Sequence, residues 1–310
     1  MKDGIIVTVF TPTYNRMKTL ERLYSSLLMQ DSMCFEWLIV DDGSIDKTEE
    51  YCKTIAKKCK SFAIRYYKQP NQGKHVAINY GVKLANGRLF FIVDSDDYLL
   101  EDAISSIIGW EKTIDDCQEF AGVAGNKGFS KSDLIGKTFE CEYVDATSLE
   151  RKNYSIYGDK AEVFYTDILK KYPFPVFVDE KFMTENVVWY RIASDNYKIR
   201  WFNEIIYIAE YRTDGLTSNQ YKILAENPKG YALSVLQDIQ FLNYNIKQAQ
   251  QAYFDYYQIV RSKVSLKKAA NYLNVSSIKL VFVIYRIYFQ AFKRKIFKNM
   301  KVIRKGVDRK

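Results

Sequence analysis

Three carboxylates fall within four positions at Asp94-Ser95-Asp96-Asp97, directly after the apolar run Leu89-Phe90-Phe91-Ile92-Val93. Crowded carboxylates repel one another and lose free energy when taken out of water, so such a cluster calls for a cation to share. On an extended chain, alternation predicts Asp94 and Asp96 on one side, with Ser95 turned away. Two hard oxygen ligands on one side suit Mg2+ or Mn2+, which usually also takes oxygens from a substrate phosphate. Alone, the segment reads equally well as a solvated turn, with Asp96 or Asp97 capping a helix over Glu101–Trp110.

The run before the carboxylates has the pattern of a short strand buried on both faces. Upstream, Gly4–Thr11, Phe35–Val40 and Phe62–Tyr67 read as strands. Helices are predicted after Arg16, where Leu20, Leu23, Leu27 and Leu28 recur at helical spacing, from Asp46 towards Lys60, and over Lys74–Ala85. This alternation predicts an α/β fold, a mostly parallel sheet with helices on both faces. Such sheets gather functional groups at the carboxyl ends of their strands. Here three of the four strands end in polar clusters: Thr11–Asn15, Asp41-Asp42 and Asp94–Asp97. A nucleoside diphosphate with a divalent ion suits that edge. The sequence has no Gly-x-x-x-x-Gly-Lys-Ser/Thr loop and no Gly-x-Gly-x-x-Gly turn, which argues against P-loop enzymes and dinucleotide-dependent dehydrogenases.

Further on, Phe120–Gly125 and Ala161–Tyr165 read as strands, with residues 126–157 loop-rich between them. Asp167–Tyr172 and Val187–Ser194 read as helices, and Lys198–Phe202 and Ile205–Ala209 as two short antiparallel strands. From about residue 220 the pattern is helical, which predicts an α/β domain over 1–218 and a helical extension over 219–310. Residues 261–310 hold 15 Lys or Arg and one acid, a net of +14, while residues 1–260 hold 31 basic and 36 acidic residues, a net of −5. Within the basic segment, Ile278, Val281, Phe282, Tyr285, Tyr288, Phe289, Phe292, Ile296, Met300 and Ile303 share one helical face. A basic amphipathic helix of this kind suits the interface of an anionic membrane. Nucleic acid is not expected as a partner, because the aromatics lie opposite the lysines, whereas single-strand binders interleave them. His75 is the only histidine, which disfavours His-based zinc sites and Ser-His-Asp chemistry. Five scattered cysteines without a Cys-x-x-Cys pair, and no signal-like N-terminus, predict free thiols in the cytoplasm. No run of 18 apolar residues predicts a spanning helix.

Several ordered elements then resemble bacterial family 2 glycosyltransferases of the GT-A fold, over about residues 5–218. They are Pro12-Thr13-Tyr14-Asn15-Arg16, Val40-Asp41-Asp42-Gly43-Ser44, Gly73-Lys74 with Asn79 and Gly81, and Asp94-Ser95-Asp96-Asp97. The resemblance implies that Thr11, Pro12, Thr13 and Tyr14 contact the base and ribose of a sugar nucleotide, with Asp42 on the base. It places Lys74 near the nucleotide or phosphates, Asp94 and Ser95 on the donor, and Arg212 over the diphosphate. Asp96, assisted by Asp94, would hold Mn2+ or Mg2+. The family's acidic pair matches Thr184-Glu185-Asn186, so Glu185 is the candidate base, with Asp179 and Glu180 as neighbouring alternatives. Asn186 departs from the family pattern, since an amide takes no proton. The implied activity is inverting transfer of a sugar, expected from a UDP-sugar, to a hydroxyl of a saccharide or lipid-linked acceptor, in cell-surface polysaccharide synthesis at the inner face of the membrane. A nucleotidyltransferase and a non-catalytic sugar-nucleotide-binding subunit are the alternatives.

Overall fold

The structure, a computed structural model, describes residues 4–115, 117–210 and 220–307, with the backbone alone for 117 and 294–307. It divides into two compact units, Met1–Ser218 and Asn219–Lys310.

The first unit is built on one ten-stranded sheet. Its first half alternates β1 (Val7–Thr13), α1 (Met17–Leu28), β2 (Phe35–Asp41), α2 (Thr48–Lys58), β3 (Ala63–Lys68), α3 (Lys74–Leu84) and β4 (Leu89–Ile92). These strands lie parallel in the order β3-β2-β1-β4. Every residue of β1 and β2 is buried, which is why they read as near-continuous apolar runs. Leu20, Leu23 and Leu27 of α1 pack into the same core cluster as Val7 and Val9. On the opposite face, α3 lies so close to β1 that a Cβ on Gly81 would fall 2.2 Å from the Phe10 ring.

The amino ends of these strands are tied by one buried carboxylate. Glu36 accepts from Thr8 Oγ1 at 2.8 Å, the Asn86 backbone N–H at 2.7 Å and Asn86 Nδ2 at 2.6 Å, and pairs with Arg65 at 3.0 Å. A buried charge satisfied on every side is tolerated where an unpaired one is not.

The second half contains β5 (Tyr98–Leu99), α4 (Ala103–Glu111), β6 (Phe120–Ser130), β7 (Asp133–Leu134), β8 (Tyr143–Ala146), β9 (Lys160–Tyr165), α5 (Thr166–Lys171), α6 (Asn186–Ser194) and β10 (Lys198–Ile208). The sheet continues β4-β9-β6-β10-β5, with β7 on β6 and β8 on β10. It is mixed, where the sequence reading expected mostly parallel pairing. The chain goes from β6 to β9 without a crossover helix and so returns antiparallel, between β4 and β6. Residues 126–157, read as loops, include the end of β6 together with β7 and β8. A second correction concerns β10, which is one strand of 11 residues. Asn203-Glu204 looks like a turn in sequence. Here Asn203 N–H donates to the Glu142 carbonyl at 3.0 Å and its Nδ2 to the Phe139 carbonyl at 2.7 Å, and the irregularity is absorbed as register shifts against β6.

The second unit is helical: α7 (Gln220–Glu226), α8 (Pro228–Phe241), α9 (Ile246–Val260), α10 (Leu266–Tyr272) and α11 (Ser277–Val307). Asn245 begins α9 with a capping box to Gln248, which stops α8 and α9 from running together. Tyr256, Val260, Ala269, Ala270, Leu273 and Leu280 form its core. Leu280 and Val283 of α11 are buried, whereas Ile278, Val281, Phe282, Tyr285, Tyr288, Phe289 and Phe292 are exposed. No single helix among the described residues is long and apolar enough to cross a membrane.

Gly73, at the start of α3, has φ +98°, and a Cβ there would lie 1.9 Å from the Lys181 carbonyl oxygen. Gly73→Ala is therefore expected to cost about 2 kcal/mol or more, from left-handed strain plus a backbone clash. A lowered urea midpoint with an unchanged slope checks it.

Candidate active site

The carboxyl ends of β1 and β2 are stitched together before they meet anything else. Asp42 N–H donates to the Thr13 carbonyl at 2.8 Å, Asn15 N–H to Ser44 Oγ at 2.8 Å, and Ile45 N–H to Asn15 Oδ1 at 2.9 Å. The two adjacent aspartates divide the work. Asp41 is structural, accepting from the Ser44 N–H at 2.7 Å and the Tyr66 hydroxyl at 2.6 Å. Asp42 lines a cavity of about 490 Å3 with Pro12, Thr13, Tyr14 and Arg16. Its carboxylate accepts from Gln69 Nε2 at 2.8 Å, Gln72 N–H at 2.8 Å and Gly73 N–H at 2.7 Å. Of about four acceptor positions on a carboxylate, one remains. Thr13 Oγ1 is buried with no partner. Thr11 is not brought to the cavity: it is fully buried and its Oγ1 accepts from Trp37 Nε1 at 2.9 Å.

The acidic segment follows β4 as a turn closed by Asp97 N–H to the Asp94 carbonyl at 3.1 Å. The chain has left the extended conformation, so the expected alternation does not hold, and Asp94, Ser95, Asp96 and Asp97 all line the cavity. Tyr207 of β10 fixes the turn. Its hydroxyl accepts from the Asp94 N–H at 3.0 Å and donates to Asp97 Oδ2 at 2.5 Å, while Asp97 Oδ1 accepts from the Glu210 N–H at 2.8 Å. Arg22 of α1 reaches the same turn, donating to the Asp96 carbonyl and pairing with Glu210.

Lys74, the first residue of α3, joins two candidate groups. Its Nζ lies 2.6 Å from Asp94 and 2.8 Å from Glu185, which immediately precedes α6. Burial works against the charge on both Lys74 and Asp94. Their mutual attraction, with Glu185 beside Lys74 and Lys127 beside Asp94, prevails, so the ammonium is held above its ordinary range and the Asp94 carboxyl below its own. Burial and the Asp94 charge push Asp96 up, and push Asp97 up to about 6 against its hydrogen bonds. Among the described residues no three His, Cys, Asp or Glu side chains converge into a metal cage. Asp96 nevertheless fits a divalent ion. Its carboxylate faces the cavity with its charge disfavoured, and Mg2+ or Mn2+ commonly takes one or two carboxylates plus phosphate and water oxygens.

Glu185 also lines a chamber of about 20 Å3 behind the main cavity, with Lys74, Asp94, Lys127, Lys160, Glu162 and Trp189. That is room for one water. Asp179, Glu180 and Asn186 line neither space. Arg212 lies outside the described residues. Sequence reasoning missed Arg22, Lys127, Lys160, Glu162 and Tyr207. Lys127 carried a faint signal, a charged residue between Gly125 and Gly128 at the end of an apolar run.

Residues 8–134 match the family model described as Glycosyl transferase family 2. An uncharacterized glycosyltransferase of Rickettsia felis is 41% identical over 98 residues, 32% of this chain and 16% of that protein. The GalNAc(5)-diNAcBac-PP-undecaprenol beta-1,3-glucosyltransferase of Campylobacter jejuni is 29% identical over 183 residues, 51% of this chain and 58% of that protein. The chain thus spans less than two thirds of the length of these relatives. Among solved structures, S. aureus TarS 1–349 in complex with UDP-GlcNAc superposes with a TM-score of 0.59 at 19% identity, covering 93% of this chain and 92% of that one. The mannosyltransferase PcManGT of Pyrobaculum calidifontis, in complex with GDP-Man and Mn2+, gives 0.54 at 17% identity, covering 92% and 82%. The shared fold is GT-A.

Lys160 supplies a pH test of the chamber. It is buried, and its Nζ donates to Asn126 Oδ1 at 2.7 Å and the Lys137 carbonyl at 2.9 Å. Burial, then the neighbouring Arg151 charge, pushes its ammonium down to about 8 from 10.5. Between those two values the unfolded chain binds more protons than the folded one, so stability rises with pH there and is lowest below pH 8. Measured against Lys160→Met, the wild-type unfolding free energy is expected to climb by about 3 kcal/mol between about pH 8 and pH 10.5. Parallel curves would mean that Lys160 titrates normally.

Proposed function

From the match of residues 8–134 to the glycosyl transferase family 2 model, we propose that this chain transfers a sugar from a nucleotide-diphosphate donor to an acceptor hydroxyl with inversion. The observation that carries this reading is the Lys74 ammonium joining Asp94 and Glu185. It puts a diphosphate-side carboxylate and a candidate base within one side chain's reach of each other, as a single displacement requires. The donor is a UDP-sugar. Asp42 keeps one acceptor position and Thr13 one uncommitted hydroxyl, a pair that complements the single N–H and the flanking carbonyl of uracil. Guanine offers a carboxylate two N–H groups and is matched less well.

Glu185 takes the acceptor's proton as its oxygen attacks the anomeric carbon, and the bond to the diphosphate oxygen breaks on the opposite face. Lys74 holds Glu185 in place and faces the side where negative charge grows. Asp96, with Asp94, would hold a divalent ion, which when bound neutralises charge on the departing diphosphate. Arg212 is assigned to cover that diphosphate. The Campylobacter relative is named for a PP-undecaprenol-linked saccharide, which supports a saccharide or lipid-linked acceptor and a role in cell-surface polysaccharide synthesis at the inner face of the membrane.

The exposed stripe of α11 supports membrane contact. Phe282, Tyr285 and Phe289 are 60%, 69% and 45% exposed, in the segment that carries the +14 charge. Each basic residue near an anionic surface contributes about 1 kcal/mol, and inserted aromatics add to it.

Two measurements test the reading. Glu185→Gln is expected to keep UDP-sugar affinity and lose turnover by about 10²-fold or more, while Asp96→Ala loses the Mn2+-dependent part of UDP binding in calorimetry. Full turnover in Glu185→Gln would overturn the base assignment. For the membrane, wild-type protein is expected to sediment with anionic liposomes at low salt and to release partly at high salt. The triple variant Phe282→Ser, Tyr285→Ser, Phe289→Ser should stay in the supernatant, since Leu280 keeps α11 in its core.

A further inference from the structure

Lys127 stands near the end of β6, where its carbonyl accepts from the Ile135 N–H at 3.0 Å, beside Tyr207 of β10 in the sheet register. Its ammonium lies 4.2 Å from the centre of the Tyr207 ring. It lines both the main cavity and the chamber behind it, a position it shares with Lys74 and Asp94 alone. Lys74 is spent on its two carboxylates. Lys127 rests against the Tyr207 ring and feels the charges of Asp94, Asp97 and Glu162, but among the described residues it has no ion pair and no side-chain hydrogen bond, so it keeps N–H donors for a ligand.

The place matters as much as the charge. In a single displacement the sugar ring must lie between the departing diphosphate and the base. Lys127 lines the main cavity together with the Asp94–Asp97 turn and the chamber together with Glu185, so it borders both the diphosphate side and the base side. The nucleoside end of the cavity, at Pro12, Thr13, Tyr14 and Asp42, is formed by the ends of β1 and β2, three and four strands away from β6 in the sheet.

We infer that Lys127 reads the transferred sugar, its ammonium donating hydrogen bonds to a ring hydroxyl or an amide oxygen of the donor hexose. This rests on the donor reading above. A group that grips the nucleotide weakens UDP and UDP-sugar alike when removed. A group that grips the sugar weakens only the second. Lys127 thereby orients the anomeric carbon and helps select which sugar is transferred.

Calorimetry of the full chain with UDP, UDP-glucose and UDP-N-acetylglucosamine decides it, in Mn2+ and with Lys127→Met and Lys127→Gln beside the wild type. Lys127→Met is expected to bind UDP within twofold of wild type. It should bind the sugar nucleotide the wild type prefers about tenfold more weakly, the loss of one charge-assisted hydrogen bond. Lys127→Gln, which keeps a donor of similar length, should recover part of that loss. An equal drop for UDP and the sugar nucleotide would place Lys127 on the diphosphate and overturn the inference. No drop for either would make it a prop for the Tyr207 ring and overturn it too. A wild type that binds neither ligand overturns the donor reading itself, and this inference with it.

Discussion

One ammonium group sets the geometry of the first unit's carboxyl edge. Lys74 stands between Asp94 and Glu185, which come from the end of β4 and the start of α6. Without it, two carboxylates would face one another in a half-buried space, and like charges in low dielectric push apart. Its own position is inherited. Asp42 gathers the N–H groups of Gln72 and Gly73, Gly73 turns left-handed against Lys181, and α3 begins at the next residue. The cavity wall is thus a chain of dependencies that starts at the end of β2.

The opposite end of the sheet has a matching device. Glu36 gathers Thr8, Arg65 and Asn86 as Asp42 gathers Gln69, Gln72 and Gly73. One buried carboxylate closes the amino ends of the strands and another organises the carboxyl ends. They differ in what is left over. Glu36 is closed in by its partners, whereas Asp42 keeps one acceptor position open to the cavity. A fully satisfied polar group stabilises a fold, and an incompletely satisfied one leaves an opening for a ligand.

The parallel half of the fold was legible because its signals are local. Buried strands make unbroken apolar runs, and α1 announces itself by leucines three to four residues apart. The acidic cluster was legible in its chemistry and not in its shape, since the hydroxyl that fixes the turn is 113 residues away in Tyr207. Asp41 and Asp42 were indistinguishable as neighbours, and only the Tyr66 hydroxyl and the N–H groups of the 69–73 loop separate a structural residue from a cavity residue. The insertion of β9 between β4 and β6 left no local trace. Neither did the continuity of β10 through Asn203-Glu204, where bonds to Phe139 and Glu142 overrule a turn-like sequence.

That inserted strand has a consequence for the order in which the chain is made. β4 can pair with β1 once Ile92 has left the ribosome, but its other neighbour ends at Tyr165, and the tyrosine that secures the acidic turn comes later still. Until then the nascent chain carries Leu89–Ile92 as an open apolar edge, the kind of edge that pairs with whatever strand is nearby. The segment that bears the family signature ends at residue 134, before either partner has emerged from the ribosome. The part of this sequence that is easiest to recognise therefore ends before the strand and the tyrosine that close β4 and its acidic turn.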